Sequence, residues 1–199
     1  MPSVVEDPPR IDPRAARSRA AIHAAALELI STRGTTDIPV REIAKAAGVS
    51  RNVIYTHYGD RAGLVSGVAL DLIRDAVRGL TTFTDSRDSE RFLLHVASHM
   101  AEHRQFYRAA LSGPDGRAFA REFDTYFLGV GGPAVEGAFP DATEEESKDL
   151  NAFLLTATGA HFATWVLTGP DRLDPAEFAQ RLTRIFYHLL PALHTDKDR

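Results

Sequence analysis

The sequence predicts an all-α protein, and three observations carry that expectation. Several long segments repeat apolar residues at three- and four-residue intervals, the spacing of one helix face. No alternating run rich in valine, isoleucine or threonine marks a strand. Helix punctuation also recurs between the periodic segments, with glycines at their ends and Ser50, Thr143 and Asp174 at their starts.

In chain order, Ile22, Ala26, Leu29 and Ile30 share a face of a first helix from about Pro13 to Arg33, which Gly34 closes. Val40 to Ala47 forms a short second helix with Ile43, Ala44 and Ala47 inward. Gly48 then turns the chain, because a residue without a Cβ enters the left-handed region that a tight turn needs. Val49 plugs the angle between the helices, and Ser50 caps the third helix. In that helix Ile54 and Tyr58 face inward while Arg51, Asn52, Tyr55 and Thr56 face outward. Leu64, Val68 and Leu72 mark a fourth helix from about Asp60 to Leu80, and the polar stretch from Thr81 to Asp88 is the candidate boundary.

Phe92, His95, Val96, His99, Met100 and His103 share one face of a fifth helix, and SGPDG at Ser112 to Gly116 ends a short sixth. Phe119, Phe123, Tyr126 and Phe127 continue the helical spacing until GVGGP, Gly129 to Pro133, interrupts it. Thr143 with Glu146, and Asp174 with Pro175 and Glu177, are capping boxes that open the last two helices. Phe178, Leu182, Ile185, Phe186 and Leu189 stripe the final helix before Pro191.

Composition narrows the function classes. The 199 residues are 44% hydrophobic and 25% charged, as in an ordinary globular protein with room for a core. There is no cysteine, which excludes a disulfide framework, a thiolate metal site, a thiol nucleophile and a thiol redox switch. The N-terminal MPSVVEDPPRIDPR carries acids and prolines where a signal peptide needs a basic flank and an apolar run, so the expected location is the cytoplasm. Leu150 to Pro170 lacks charge, but Asn151, Thr156, Thr158, His161, Thr164 and Thr168 interrupt it. It reads as a buried helix rather than a membrane span, and no membrane partner is expected. The formal net charge of -4 hides an asymmetry: residues 10–57 hold eight basic groups against four acidic ones. A basic N-terminal quarter on an acidic body suits an anionic partner such as DNA phosphate.

The second and third helices with their glycine turn form a helix-turn-helix whose exposed third-helix start fits a major groove. VREIAKAAGVS, Tyr55, Tyr58 and the Arg61 to Leu64 segment fall in the order of the TetR family of bacterial transcriptional repressors, which this sequence resembles. The resemblance is close over residues 13–65 and extends beyond them only in length and helical plan. It implies a homodimer that binds a palindromic double-stranded operator and is released by a small apolar or aromatic effector. It also implies dimerisation through the last two helices. No nucleophile with a partnered base and no phosphate-cradling glycine loop appears, so no enzymatic activity and no cofactor are expected. The implied organisation is an arm at 1–12, a DNA-binding domain at 13–59, an effector-binding and dimerisation domain at 60–193, and a tail at 194–199.

Carried over position by position, the DNA-contact set is Ser50, Arg51, Asn52, Val53, Tyr55, Thr56, His57 and Arg61. Asn52 suits an adenine edge and Val53 a thymine methyl, while Arg61 replaces the family's usual lysine near a phosphate. Ile38 and Pro39 stand where the family often places a phosphate-touching Ser or Thr cap. Ala62 and Gly63 replace commonly acidic positions, removing charge without disturbing the architecture. Arg14 and Arg17 either touch backbone phosphate or solvate an exposed face.

The second half is rich in aromatics, and the resemblance implies an effector cavity among its helices. Its expected lining is Phe92, His95, His99, Phe106, Phe123, Tyr126, Phe127, His161 and Trp165. A different class stays open, because His95, His99 and His103 at four-residue intervals are the pattern of a histidine-based metal-binding protein or metalloenzyme. Against it, no cysteine, matching inward acid or HExxH motif is present, so no metal is expected. Ala152, Thr156, Gly159, Ala163 and Val166 form a stripe of small residues that either meets a second copy or packs within the chain.

Overall fold

The computed structural model describes residues 13–80, 86–169 and 174–194. Among them helices α1 (Pro13–Arg33), α2 (Val40–Ala46), α3 (Arg51–Tyr58) and α4 (Arg61–Ala76) follow the predicted order. Helices α5 (Ser86–Glu102), α6 (Arg104–Ser112), α7 (Gly116–Ala138), α8 (Glu144–Thr168) and α9 (Pro175–His194) complete the chain. The described residues contain no strand. Residues 1–12, assigned to an arm, 81–85 of the boundary stretch and 195–199 of the tail lie outside the described residues.

The N-terminal domain exists because the apolar stripes of four helices converge. Ile22, Ala25, Ala26 and Ile30 of α1 meet Ile43 and Ala44 of α2, Ile54 of α3 and Leu64, Val65 and Val68 of α4 in one core. Ile54 is the only fully buried side chain of α3, and its removal from water contributes about 1.5–3 kcal/mol to holding that helix in place. α4 packs against α1 and α3 at one end and against α5 and α7 further along, so it joins the two domains.

In the C-terminal domain, α7 lies along α8 and α5 along α9, with α6 wedged against α1, α7 and α8. The α8 start carries the complete capping box: Glu146 N donates to Thr143 Oγ1 at 3.3 Å, and Thr143 N donates to Glu146 Oε2 at 2.7 Å. Asp174 Oδ1 accepts from Ala176 N at 2.9 Å and from Glu177 N at 3.0 Å, opening α9. At the other end of α8, the buried Arg104 donates through Nε to Val166 O at 3.1 Å and through Nη2 to Gly169 O at 2.8 Å. This satisfies carbonyls that a helix C-terminus leaves without partners.

Four sequence expectations are corrected. α4 stops at Ala76 rather than running to Leu80, because the chain turns there: Leu80 N donates to Val77 O at 2.9 Å and Gly79 takes a φ of 76°. α7 runs without interruption through Gly129 to Pro133. Packing overrides the helix-breaking composition, since a Cβ at Gly131 would stand 2.3 Å from Leu155 Cδ1 of α8; the glycine lets the helices close together. His103 is not on α5 but is the residue before α6, where the chain bends. α8 is not buried all round: Leu154, Phe162, Trp165 and Val166 are buried, while Phe153 on the other side is 69% exposed. By length and composition α8 could cross a membrane, with 22% of its apolar window buried in the fold.

Candidate functional site

The helix-turn-helix is built from local signals. Ala47 N donates to Ile43 O at 2.9 Å, Gly48 takes a φ of 65°, and Val49 N then donates to Ala44 O at 3.0 Å. A side chain at Gly48 would meet open space, so the glycine is there for its backbone. Ser50 occupies the cap position of α3 with extended backbone, but its side chain makes no capping hydrogen bond. The cap acts through backbone geometry alone, with Val53 N donating to Ser50 O at 3.1 Å. At the α2 start Pro39 is the cap residue. Ile38 just before it and Ile43 four residues into the helix are both 1% exposed, the positions of a hydrophobic staple, so apolar burial replaces the polar cap.

α3 divides cleanly. Ser50, Arg51, Asn52, Tyr55 and Thr56 are exposed, with Tyr55 at 48%, whereas Val53 and His57 are half-buried. Thr56 Oγ1 donates to Asn52 O at 2.8 Å and is engaged with its own helix. Behind this face, Tyr58 Oη and His23 Nε2 share a 2.8 Å hydrogen bond, and His23 Nε2 lies 3.3 Å from Asp71 Oδ2. The chain from α3 through α1 to α4 sets the position of the third helix. Burial lowers the His23 pKa, opposed by the Asp71 charge, and raises the Tyr58 pKa to about 12. His23 carried no sequence signal beyond its place beside Ile22 on the inner side of α1.

Arg61, expected near a phosphate, has carboxylate partners within the fold. It pairs with Asp37 of the α1–α2 loop and, through Nη2 at 3.6 Å, with Asp115 of the α6–α7 turn. Two carboxylates already hold it. Beside this pair, a Cβ at Gly113 would stand 2.4 Å from Oγ1 of the buried Thr36, so the α6–α7 turn sits directly on the α1–α2 loop. The glycine at 63 does more than remove charge: a Cβ there would stand 2.1 Å from Tyr58 O, so its absence lets α4 close against α3. Arg41 and Lys45, four residues apart on α2, are exposed and enter no ion pair among the described residues. They extend the basic face beyond the sequence-predicted set, and their spacing was the available signal.

A cavity of about 140 Å³ opens between α5, α6, α7 and α8, lined by Met100, Leu111, Phe119, Phe123, Asp124 and Thr156 among others. Of the nine residues expected to line an effector cavity, the structure brings only Phe123 to this one. His95 is exposed, with Nδ1 donating to Arg91 O at 2.7 Å, because it lies beside rather than within the buried stripe of Leu93, Val96, Ala97 and Met100. His99 is buried and hydrogen-bonded through Nε2 to Tyr107 Oη at 2.8 Å. Phe106 is wholly core, Phe92 meets Phe127 edge-on at 6.1 Å, and Tyr126 lies under Arg74 at 5.3 Å. His161 and Trp165 stack on Phe178 of α9 at 5.2 and 4.2 Å. Most of these aromatics pack between helices, away from this cavity. Asp124 and Thr156, which sequence reasoning missed, are the cavity's polar groups, because a pocket shared by four helices leaves no local periodicity.

The histidine triplet does not assemble. The His99 and His103 rings lie 4.7 Å apart, but His95 points to solvent, and the described residues contain no group of three potential ligands placed to hold a metal. Ala152 is exposed, Thr156, Gly159 and Ala163 line the cavity, and Val166 is buried. Of the small-residue stripe, only Val166 is packed in the core, and its middle faces the cavity.

An all-α body that projects the exposed start of a buttressed recognition helix defines a helix-turn-helix regulator. Residues 22–68 match the family model described as bacterial regulatory proteins, tetR family. Over those residues the chain carries the DNA-binding domain of the TetR family of bacterial regulatory proteins. It is 34% identical over 108 residues to the HTH-type transcriptional regulator AlkX of Mycobacterium tuberculosis, a match that spans 51% of each chain, about half the length of that relative. The protein named MftR from the same organism is 28% identical over 178 residues, 75% of this chain and 89% of its own length. Among solved structures, the TetR family repressor AlkX from a Dietzia strain, implicated in biodegradation of n-alkanes, superimposes with a TM-score of 0.56 at 18% identity. The alignment covers 86% of this chain and 97% of that one. NalD of Pseudomonas aeruginosa, the secondary repressor of a multidrug efflux pump, gives a TM-score of 0.61 at 20% identity over 88% and 96% of the two chains. These structures share the fold.

Proposed function

We propose that this protein is a ligand-released repressor that binds a two-fold symmetric DNA operator as a homodimer in the cytoplasm. The observation that carries the proposal is the α3 start, where Arg51, Asn52 and Tyr55 are exposed in a row above a fully buried Ile54 and a tethered Tyr58. Arg51 and Asn52 are side chains that bond base edges or phosphate, and the helix N-terminus adds a favourable dipole. Arg41 and Lys45 supply further positive charge for the DNA backbone.

The outer side of α8 supports the dimer. Phe153, Ala157, Thr164 and Thr168 fall on one exposed, uncharged stripe, and Ile185 and Tyr187 of α9 are also exposed at 40% and 48%. An uncharged stripe that leaves Phe153 69% exposed calls for cover, and a second copy of α8 and α9 provides it. The proposed interface is this outer face rather than the small-residue stripe. The domains are proposed to divide near Asp60, with α4 as the shared element. Effector binding in the α5–α8 cavity shifts α4 and the α6–α7 turn, and the Arg61–Asp115 and Thr36–Gly113 contacts carry that shift to the α3 position. A coupling of about 1–3 kcal/mol changes operator affinity roughly 5- to 150-fold.

Selection from a random duplex pool tests the reading. The expected product is an inverted repeat whose half-sites lie about 34–36 Å apart, one turn of DNA, or a multiple of that. Enrichment of a single unrepeated half-site would contradict the dimer, and no enrichment at low salt would contradict the operator-binding role.

A further inference from the structure

We infer that the cavity between α5, α6, α7 and α8 takes a small organic cation with an apolar body, its charged nitrogen seated on the Asp124 carboxylate; this rests on the reading of that cavity as the effector site. At about 140 Å³ the space matches what one benzene-sized ring fills. Met100, Leu111, Phe119 and Phe123 make its wall apolar, which suits a hydrocarbon body and gives little to a strongly hydrated ligand.

The charge preference comes from Asp124. Its carboxylate has no cation within 4 Å and no hydrogen bond among the described residues. Partial burial already disfavours its charge, raising its pKa with no opposing contribution from a neighbour. α8 leaves it room: a Cβ at Gly159 would stand 2.7 Å from Asp124 Oδ1, so the glycine keeps the carboxylate at the cavity wall. An ionised group losing water without a partner is costly, and a cationic ligand removes that cost. A neutral ligand leaves it in place and an anionic one adds repulsion. Phe119 and Phe123, whose ring centres lie 5.6 Å apart, add aromatic surface to the same wall.

Isothermal titration of the full chain with benzylamine, benzyl alcohol and benzoate tests this, since the three probes share a ring and differ in charge. Benzylamine is expected to bind tightest and benzoate weakest. Asp124→Asn is expected to weaken benzylamine roughly 10- to 100-fold, the effect of one hydrogen bond to a charged group, while changing benzyl alcohol less than about 3-fold. Ala163→Leu, which fills the cavity, is expected to lose both probes and serves as the second variant if Asp124→Asn fails to fold. Equal binding of the amine and the alcohol, an unchanged amine affinity in Asp124→Asn, or no binding of any probe overturns the inference. Release of the selected duplex is measured separately. Asp124-dependent amine binding without release contradicts the effector reading and leaves the cation site standing, whereas release by benzyl alcohol as readily as by benzylamine does the reverse.

Discussion

Arg61→Gln separates two accounts of one side chain. If Arg61 is a strut between domains, as its pairs with Asp37 and Asp115 indicate, the substitution costs stability rather than phosphate affinity. Its side chain is 31% exposed and its partners are 78% and 42% exposed, so each pair belongs to the surface class worth about 0.2–1 kcal/mol. The sum is about 1 kcal/mol, which lowers the melting temperature by roughly 2–4 °C for a chain of this length. Combined with Asp115→Asn in a double-mutant cycle, the two changes should fall short of additivity by a few tenths of a kcal/mol or more. Anisotropy titrations of a labelled selected duplex between 50 and 200 mM salt supply the other readout. A strut leaves the slope of log affinity against log salt unchanged, whereas loss of one phosphate contact per subunit makes it shallower by about 2 for the dimer. A slope change of that size with strictly additive stabilities would refute the strut.

Three further outcomes follow from the same geometry. Asn52→Ala should cost about 1–3 kcal/mol on the selected duplex and nothing measurable on a scrambled one, as filter binding on both will report; equal losses would remove its base-reading role. Phe153→Glu places two charges in the proposed interface and should raise the dimer dissociation constant by roughly 100-fold or more in sedimentation, while an unchanged dimer would move the interface elsewhere. His99 titrates near 4 in the fold against an ordinary 6.5, because burial opposes its charge and His103 repels it. The unfolded chain therefore binds a proton first as pH falls. The stability this group contributes is whole above pH 6.5 and is lost towards pH 4, by up to about 3 kcal/mol. Denaturant melts across that range should show the loss, and His99→Gln should flatten it; an identical pH profile in the variant would contradict the assignment.

The recognition unit was legible because its signals are local. Gly48, Val49 and Ser50 define a turn within three residues, and the burial of Ile43, Ala44 and Ile54 follows from helical spacing alone. What was not legible depends on elements far apart in sequence. GVGGP reads as a break until α8 lies against it, when Gly131 becomes the point where Leu155 fits. Nothing beside Arg61 in the sequence announces Asp115, which the α6–α7 turn brings to it from 54 positions downstream. The cavity escaped for a similar reason: aromatic periodicity marks what packs, and Phe106, Trp165 and Phe178 pack, whereas the polar group that shapes the pocket is a single aspartate opposite a glycine. His95 shared the helical spacing of His99 but not its burial, because the buried stripe of α5 is centred on Leu93, Val96 and Met100.

The most direct test of the whole account is the contact between α3 and duplex DNA, read by methylation protection of the selected duplex with the wild-type chain and with Arg51→Ala. Guanines in two successive major grooves should be protected by the wild type, and protection should weaken in both half-sites together in the variant. Protection confined to the minor groove, or a pattern that Arg51→Ala leaves intact in both half-sites, would show that the exposed start of α3 is not what reads the DNA.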